Sequence, residues 1–141
     1  MNILFLLIPK AKCAYLRSED TIRQALEKME GSGYAALPIL SKDGRYQGTL
    51  TEGDLLWAIK NLEISNLREM EDHGIMEIAH RRDNAPVSVS NRVEDLLSKA
   101  VAQNFVPVVD DRDTFIGIIT RKAIMQYFID RYKASLEAAD T

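Results

Sequence analysis

Gly48-Thr49-Leu50-Thr51-Glu52-Gly53-Asp54 and Gly117-Ile118-Ile119-Thr120-Arg121-Lys122-Ala123 are two versions of one phrase: a glycine, two residues, then a threonine placed to open a helix. Around this phrase the register holds, because Pro38, Gly48 and Thr51 meet Pro107, Gly117 and Thr120 at one offset of 69 positions. Upstream the offset is 71, with Ile22, Ala25, Leu26 and Met29 meeting Val93, Leu96, Leu97 and Ala100. The chain is therefore one structural unit written twice, with two residues fewer between the first helix and second strand of the second copy.

Each copy spells β-α-β-β-α. In the first, Cys13 to Leu16 is an apolar strand, and Thr21 with Gln24 fits a capping box before the helical stripe Ile22, Ala25, Leu26 and Met29. Tyr34 to Leu40 is a short strand containing Pro38, Ser41 to Gly44 a turn, and Tyr46 to Leu50 the returning hairpin strand. A helix over 52–61 follows, with Leu55, Leu56, Ile59 and Leu62 as its stripe. The second copy predicts strands at 87–89, 105–109 and 115–119, a helix capped by Asn91 and Glu94, and a last helix over 121–132. The segments 3–10 and 75–82 echo each other as lead-ins. One unit leaves a sheet face bare and apolar, so two units covering each other's sheets bury what neither could bury alone. The expected architecture is α+β, two repeats packed sheet to sheet with pseudo-two-fold symmetry. Its divisions are 1–62, a charged connector at 63–74, 75–133, and a frayed polar tail at 134–141.

Composition narrows the function. The chain has 141 residues, 46% of them hydrophobic, which is enough for a well-buried core. A net charge of −3 leaves no basic footprint for nucleic acid. The apolar run Ile3 to Ile8 is broken by Pro9 and far too short to cross a bilayer, so it reads as a core-packing segment. A lone Cys13 makes no internal disulfide and points to a reducing, cytoplasmic setting. His73 and His80 lack companions at metal-ligand spacing, Cys13 sits in an apolar strand, and no catalytic constellation emerges. The expectation is a binder rather than an enzyme, with no metal.

Thr51 ends a strand and starts a helix, so its hydroxyl and the first free amides face one point where phosphate is favoured. Asp54, three residues on, is placed to accept hydrogen bonds from vicinal ribose hydroxyls. The same pair also fits a plain helix cap, and both roles are open on spacing alone. Tyr34 fits base stacking or simple core, and Arg121 with Lys122 fits phosphate neutralisation or a solvated pair.

The chain resembles the CBS-domain family, as a tandem pair, in Gly33-Tyr34-Ala35-Ala36-Leu37-Pro38-Ile39 and in the glycine-to-aspartate phrase Gly48 to Asp54. That phrase is the family's nucleotide signature; the second copy departs from it at Ala123, where the family has aspartate, so the two clefts should differ. The resemblance implies an adenine-nucleotide site built from Lys12, Cys13, Ala14, Tyr34, Ala35, Ala36, Pro38, Thr51 and Asp54 with Thr120, Arg121 and Lys122. It also implies a homodimer assembled through exposed helices and a regulatory effect on a separate target protein. Lys12-Cys13-Ala14 and Asn104-Phe105-Val106-Pro107-Val108 are similar to small stand-alone CBS pairs of Gram-positive bacteria, several of which are cyclic di-AMP receptors. AMP, ADP or ATP stands level with the cyclic ligand, because Asp54 suits a free ribose. A ligand-free interaction module, or an accessory subunit of an enzyme or transporter, is the alternative.

Overall fold

The computed structural model describes residues 2–78 and 84–140. Its first repeat runs β2 (Leu16–Arg17), α1 (Ile22–Ser32), β3 (Ala36–Leu40), β4 (Tyr46–Thr51) and α2 (Glu52–Asn61). The second runs β5 (Val87–Ser88), α3 (Val93–Ala102), β6 (Phe105–Val109), β7 (Phe115–Thr120) and α4 (Arg121–Ala139). Both have a parallel outer strand and an antiparallel hairpin, giving the sheet orders β2-β3-β4 and β5-β6-β7. The hairpins slip register at matching places, between Ile39 and Leu40 and between Val108 and Val109.

Strand alternation sorts the side chains into two layers. Leu37, Ile39 and Leu50 turn towards α1 and α2 in one core, while Val106, Val108 and Ile119 turn towards α3 and α4 in another. The opposite phase, with Leu40, Phe105, Val109 and Phe115 all buried, faces the other sheet. Tyr46 and Phe115 stack across that boundary at 6.5 Å between ring centroids. The pseudo-two-fold is visible in single bonds at the hairpin tips. Phe115 N–H donates to the Gly44 carbonyl at 2.9 Å, and Tyr46 N–H to the Asp113 carbonyl at 3.4 Å. Gly44 (φ 83°) and Asp113 (φ 62°) take the same left-handed turn conformation, which aspartate tolerates better than most residues.

The lead-in segments are exchanged. A short strand β1 (Ile8–Pro9) leaves the first repeat and pairs antiparallel with β7, Ile8 opposite Ile118 and Pro9 opposite Gly117. Ile3 is buried in the second repeat's core, with Leu6 and Leu7 packed against it. In return Met70, Ile75 and Ile78 complete the first repeat's core. Asn2 bridges Arg92 just as Gly74 bridges Thr21. In space, therefore, Ile3, Leu6 and Leu7 pack on the second repeat, and Met70, Ile75 and Ile78 on the first. A segment that precedes a repeat has too few neighbours there, whereas the other repeat offers an open sheet edge.

Other expectations shift locally. The Thr21–Gln24 capping box is present. In α3, however, the cap is Arg92, whose N–H donates to Asp95 Oδ2 at 2.9 Å, because the offset of 71 maps Thr21 and Gln24 onto these residues rather than onto Asn91 and Glu94. In α2 the buried face is Leu55 and Ala58, with Leu56 63% exposed. The last helix continues to Ala139, so the segment expected to fray from residue 134 is helical to that point. Its alanines and long side chains keep helix propensity past the core.

Gly117 permits the strand exchange, since an added Cβ would overlap the Ile8 carbonyl oxygen and lie 2.9 Å from Leu7 Cδ1. Gly117→Ala is expected to lower stability by about 1–3 kcal/mol in urea unfolding. Gly31→Ala, in the α1 helix with nothing near its Cβ position, should raise it by up to about 1 kcal/mol.

Candidate functional site

Between the two sheets lies a hollow of about 210 Å³. Its walls are the alternating residues of the inter-sheet face, Ala36 and Pro38 of β3, Phe105 of β6, and Ile118 and Thr120 of β7. Lys12, Cys13 and Ala14 close one side, Ile8 from the exchanged strand another, and Tyr34 and Asn104 stand at the mouth. The lining exists because copy one supplies alanines where bulk would fill the space; Ala36 is the register counterpart of Phe105. Cys13 Sγ donates to the carbonyls of Ile8 and Pro9, both at 3.4 Å, fastening β1 to this wall. Burial pushes the thiol up, against the opposing pull of the Ile118 amide, so Cys13 is a neutral apolar surface rather than a nucleophile.

Of the residues expected at the site, Lys12, Cys13, Ala14, Tyr34, Ala36, Pro38 and Thr120 line this hollow. Ala35 does not; its carbonyl accepts the Glu52 N–H at 2.9 Å. Thr51 and Asp54, the complete motif, also stand elsewhere. Thr51 Oγ1 accepts from Asp54 N–H at 3.1 Å, and Asp54 Oδ2 from Thr51 N–H at 2.9 Å, a reciprocal cap on α2. Asp54 lines a separate hollow with Trp57, Asn61 and Glu77. Ala14 and Tyr34 thus line one hollow, and Asp54 lines another. The sheets meet face to face, so each repeat's first strand looks onto the other repeat's threonine.

Arg121 does not line this hollow either. Its Nε donates to the carbonyls of Ala100 at 2.7 Å and Gln103 at 3.0 Å, satisfying acceptors left over at the end of α3. Lys122 is exposed and outside the lining. The lining residues not expected at the site are Ile8, Leu37, Asn104, Phe105 and Ile118, of which all but Ile8 fall within the quoted motifs. Asn104 was legible in principle, because the offset of 69 pairs it with Ala35, beside the predicted stacking residue. Among the described residues its side-chain amide makes no hydrogen bond, and no carboxylate lines the hollow.

On the pseudo-two-fold-related side, described side chains bond to the protein's own backbone. Gln103, the counterpart of Tyr34, is only 3% exposed and donates to the carbonyls of Ala85 at 3.3 Å and Phe105 at 3.2 Å. The Tyr46 hydroxyl donates to the Asn84 carbonyl at 2.8 Å and accepts from the Thr49 hydroxyl at 2.7 Å. Elsewhere His73 pairs with Glu77 at 3.3 Å, and His80 lies outside the described residues. No group of three potential metal-ligating side chains occurs among the described residues, and none of their helices is long and apolar enough to cross a membrane.

Comparison with known proteins bears on this geometry. The CBS domain model matches residues 8–61 and 69–130. The chain belongs to the CBS-domain family. These CBS repeats are 22% identical over 120 residues to cyclic di-AMP receptor B of Bacillus subtilis, covering 85% of this chain and 81% of that one. An uncharacterized protein of Methanocaldococcus jannaschii is 26% identical over 117 residues, covering 77% of this chain and 41% of that protein, so the CBS pair spans less than half of its length. Among solved structures, CbpB in complex with c-di-AMP superposes with a TM-score of 0.83 at 22% identity, covering 98% of this chain and 91% of that one. The Listeria monocytogenes CbpB complex with c-di-AMP gives 0.78 at 25% identity, covering 91% and 94%.

Burial pushes the Tyr46 hydroxyl up to about 12 from 10, against a smaller pull from Thr49. Because the folded state holds this proton more tightly, its contribution is complete below pH 10 and is lost as pH rises towards 12. Alkaline denaturation should show a loss of about 2 kcal/mol across that window, and Tyr46→Phe should remove that component of the pH dependence.

Proposed function

We propose that this CBS pair is a non-catalytic receptor that binds cyclic di-AMP in the hollow between its repeats and regulates a separate protein. The observation that carries the ligand choice is the absence of a carboxylate among the described lining residues, with Ala123 in the motif position that the family gives to aspartate. A mononucleotide's free ribose diol is best held by a carboxylate, whereas a cyclic dinucleotide has its 3′-oxygens esterified and needs none. Asp54 argues for a free ribose only if it faces the ligand, and it caps α2 outside this hollow.

The remaining walls suit the parts of such a ligand. Apolar Ala14, Ala36, Pro38 and Ile118 accept an adenine face, the Asn104 amide can donate to and accept from the base edge, and Tyr34, 61% exposed, offers a ring at the mouth. Thr120 and the first amides of α4 favour a phosphate, and Lys12 adds a cation. A volume of about 210 Å³ is below the ~300 Å³ at which pockets enclose a drug-sized ligand, so one base is enclosed while the rest lies at the opening. Ligand contacts would span both repeats and the exchanged strand, and the regulatory effect is bounded by the difference in affinity between their bound and free arrangements.

Titration calorimetry and thermal melting with cyclic di-AMP, AMP and ATP test this. Cyclic di-AMP at a hundred times its Kd should add about 2.7 kcal/mol of stability, with AMP and ATP near baseline. Ala36→Phe, which installs the residue of the opposite repeat, should abolish binding, while Asp54→Ala should leave the affinity within about twofold. Preference for AMP, or a tenfold loss on Asp54→Ala, about 1.4 kcal/mol, would overturn the assignment.

A further inference from the structure

A second hollow, about 260 Å³, lies at the tip of the β3–β4 hairpin and shares no lining residue with the first. Three cations surround it: Lys10 from the exchanged lead-in, Arg17 at the end of β2, and Lys42 in the turn. They are separated in sequence and assembled by the fold. The Lys10 ammonium comes within 3.6 Å of where a Cβ on Gly44 would sit, and 5.6 Å from the Tyr15 ring centroid. Glu19 and Asp43 share the rim, yet among the described residues no carboxylate lies within 4 Å of any of the three cations. Three cations against two carboxylates leave the lining net positive, which favours an anionic ligand.

The internal duplication supplies a control. Ser41, Lys42 and Gly44 correspond to Asp110, Asp111 and Asp113, and Arg17 corresponds to Ser88. The same hairpin therefore folds with acidic residues in the second repeat, so the turn does not require cations. Asp110 is spent locally there, accepting the Arg112 and Thr114 N–H groups at 2.9 Å, which hold its carboxyl below the ordinary range. No comparable use occupies Lys42 or Arg17.

We propose that Lys10, Arg17 and Lys42 form a second ligand site, separate from the adenine hollow, for a small multiply charged phosphate. Arg17 provides a planar fork that can take two phosphate oxygens, with Lys10 and Lys42 as point charges on either side. The site is independent of the cyclic di-AMP assignment, since it uses other residues and other chemistry.

The test is calorimetric titration of the full chain with inorganic pyrophosphate at about 50 mM and about 200 mM salt, with chloride-matched controls. Saturable, one-to-one binding that weakens with salt is expected, reduced at least about tenfold in the exposed double variant Arg17→Ala/Lys42→Ala and unchanged in Ala36→Phe. That double variant should keep its cyclic di-AMP response, which separates failure of this proposal from failure of the other. Absence of saturable binding, or binding lost in Ala36→Phe and kept in Arg17→Ala/Lys42→Ala, would overturn it.

Discussion

The close approach of Ile8 to Gly117 is the contact on which the architecture turns. A two-residue strand crosses from the start of the chain to the far repeat and lies against a glycine that leaves its carbonyl room. The reciprocal segment brings Met70, Ile75 and Ile78 into the first core, and Arg23 of α1 holds Glu71 of that segment at 2.7 Å. Each repeat is therefore completed by chain that belongs, in sequence, to the other. Each core is completed by the other repeat's lead-in, so the two repeats share one folding unit.

That placement decides which motif meets which pocket. Face-to-face sheets bring the first repeat's alanine-rich strands to the second repeat's threonine, and the reverse combination falls on the other side. On one side stand Ala14, Ala36 and Thr120; on the other Gln103 and Tyr46 spend their polar groups on the backbone of residues 84, 85 and 105. The two sides thus differ in a few of the described side chains. A buried glutamine bonded to two carbonyls takes the place that an exposed tyrosine holds opposite.

The repeat, its β-α-β-β-α order and the buried stripe Ile22, Ala25 and Met29 were legible because periodicity and punctuation are local. Seven of the predicted site residues meet in one hollow for a related reason: small residues beside apolar strands announce a space. The exchange of lead-ins was not legible, since nothing in Ile3 to Pro9 tells which sheet edge it will find. For the same reason the sequence does not tell that Thr51 and Asp54 lie outside the hollow lined by Ala14 and Tyr34, as a motif gives chemistry but not which repeat it faces. Arg121 shows a third limit. An arginine at a helix start invites a phosphate, but carbonyls at the end of α3, brought near only by the fold, claim its Nε first.

The central claim is that one cleft, the one without the aspartate, is the ligand site. A crystal structure of the chain grown with cyclic di-AMP tests it most directly. Ordered adenine density between Ala36 and Thr120, with Gln103 and Tyr46 keeping their bonds to residues 84, 85 and 105, is the predicted result. Density against Thr51 and Asp54, with Gln103 displaced and the Ala36 hollow empty, would contradict it.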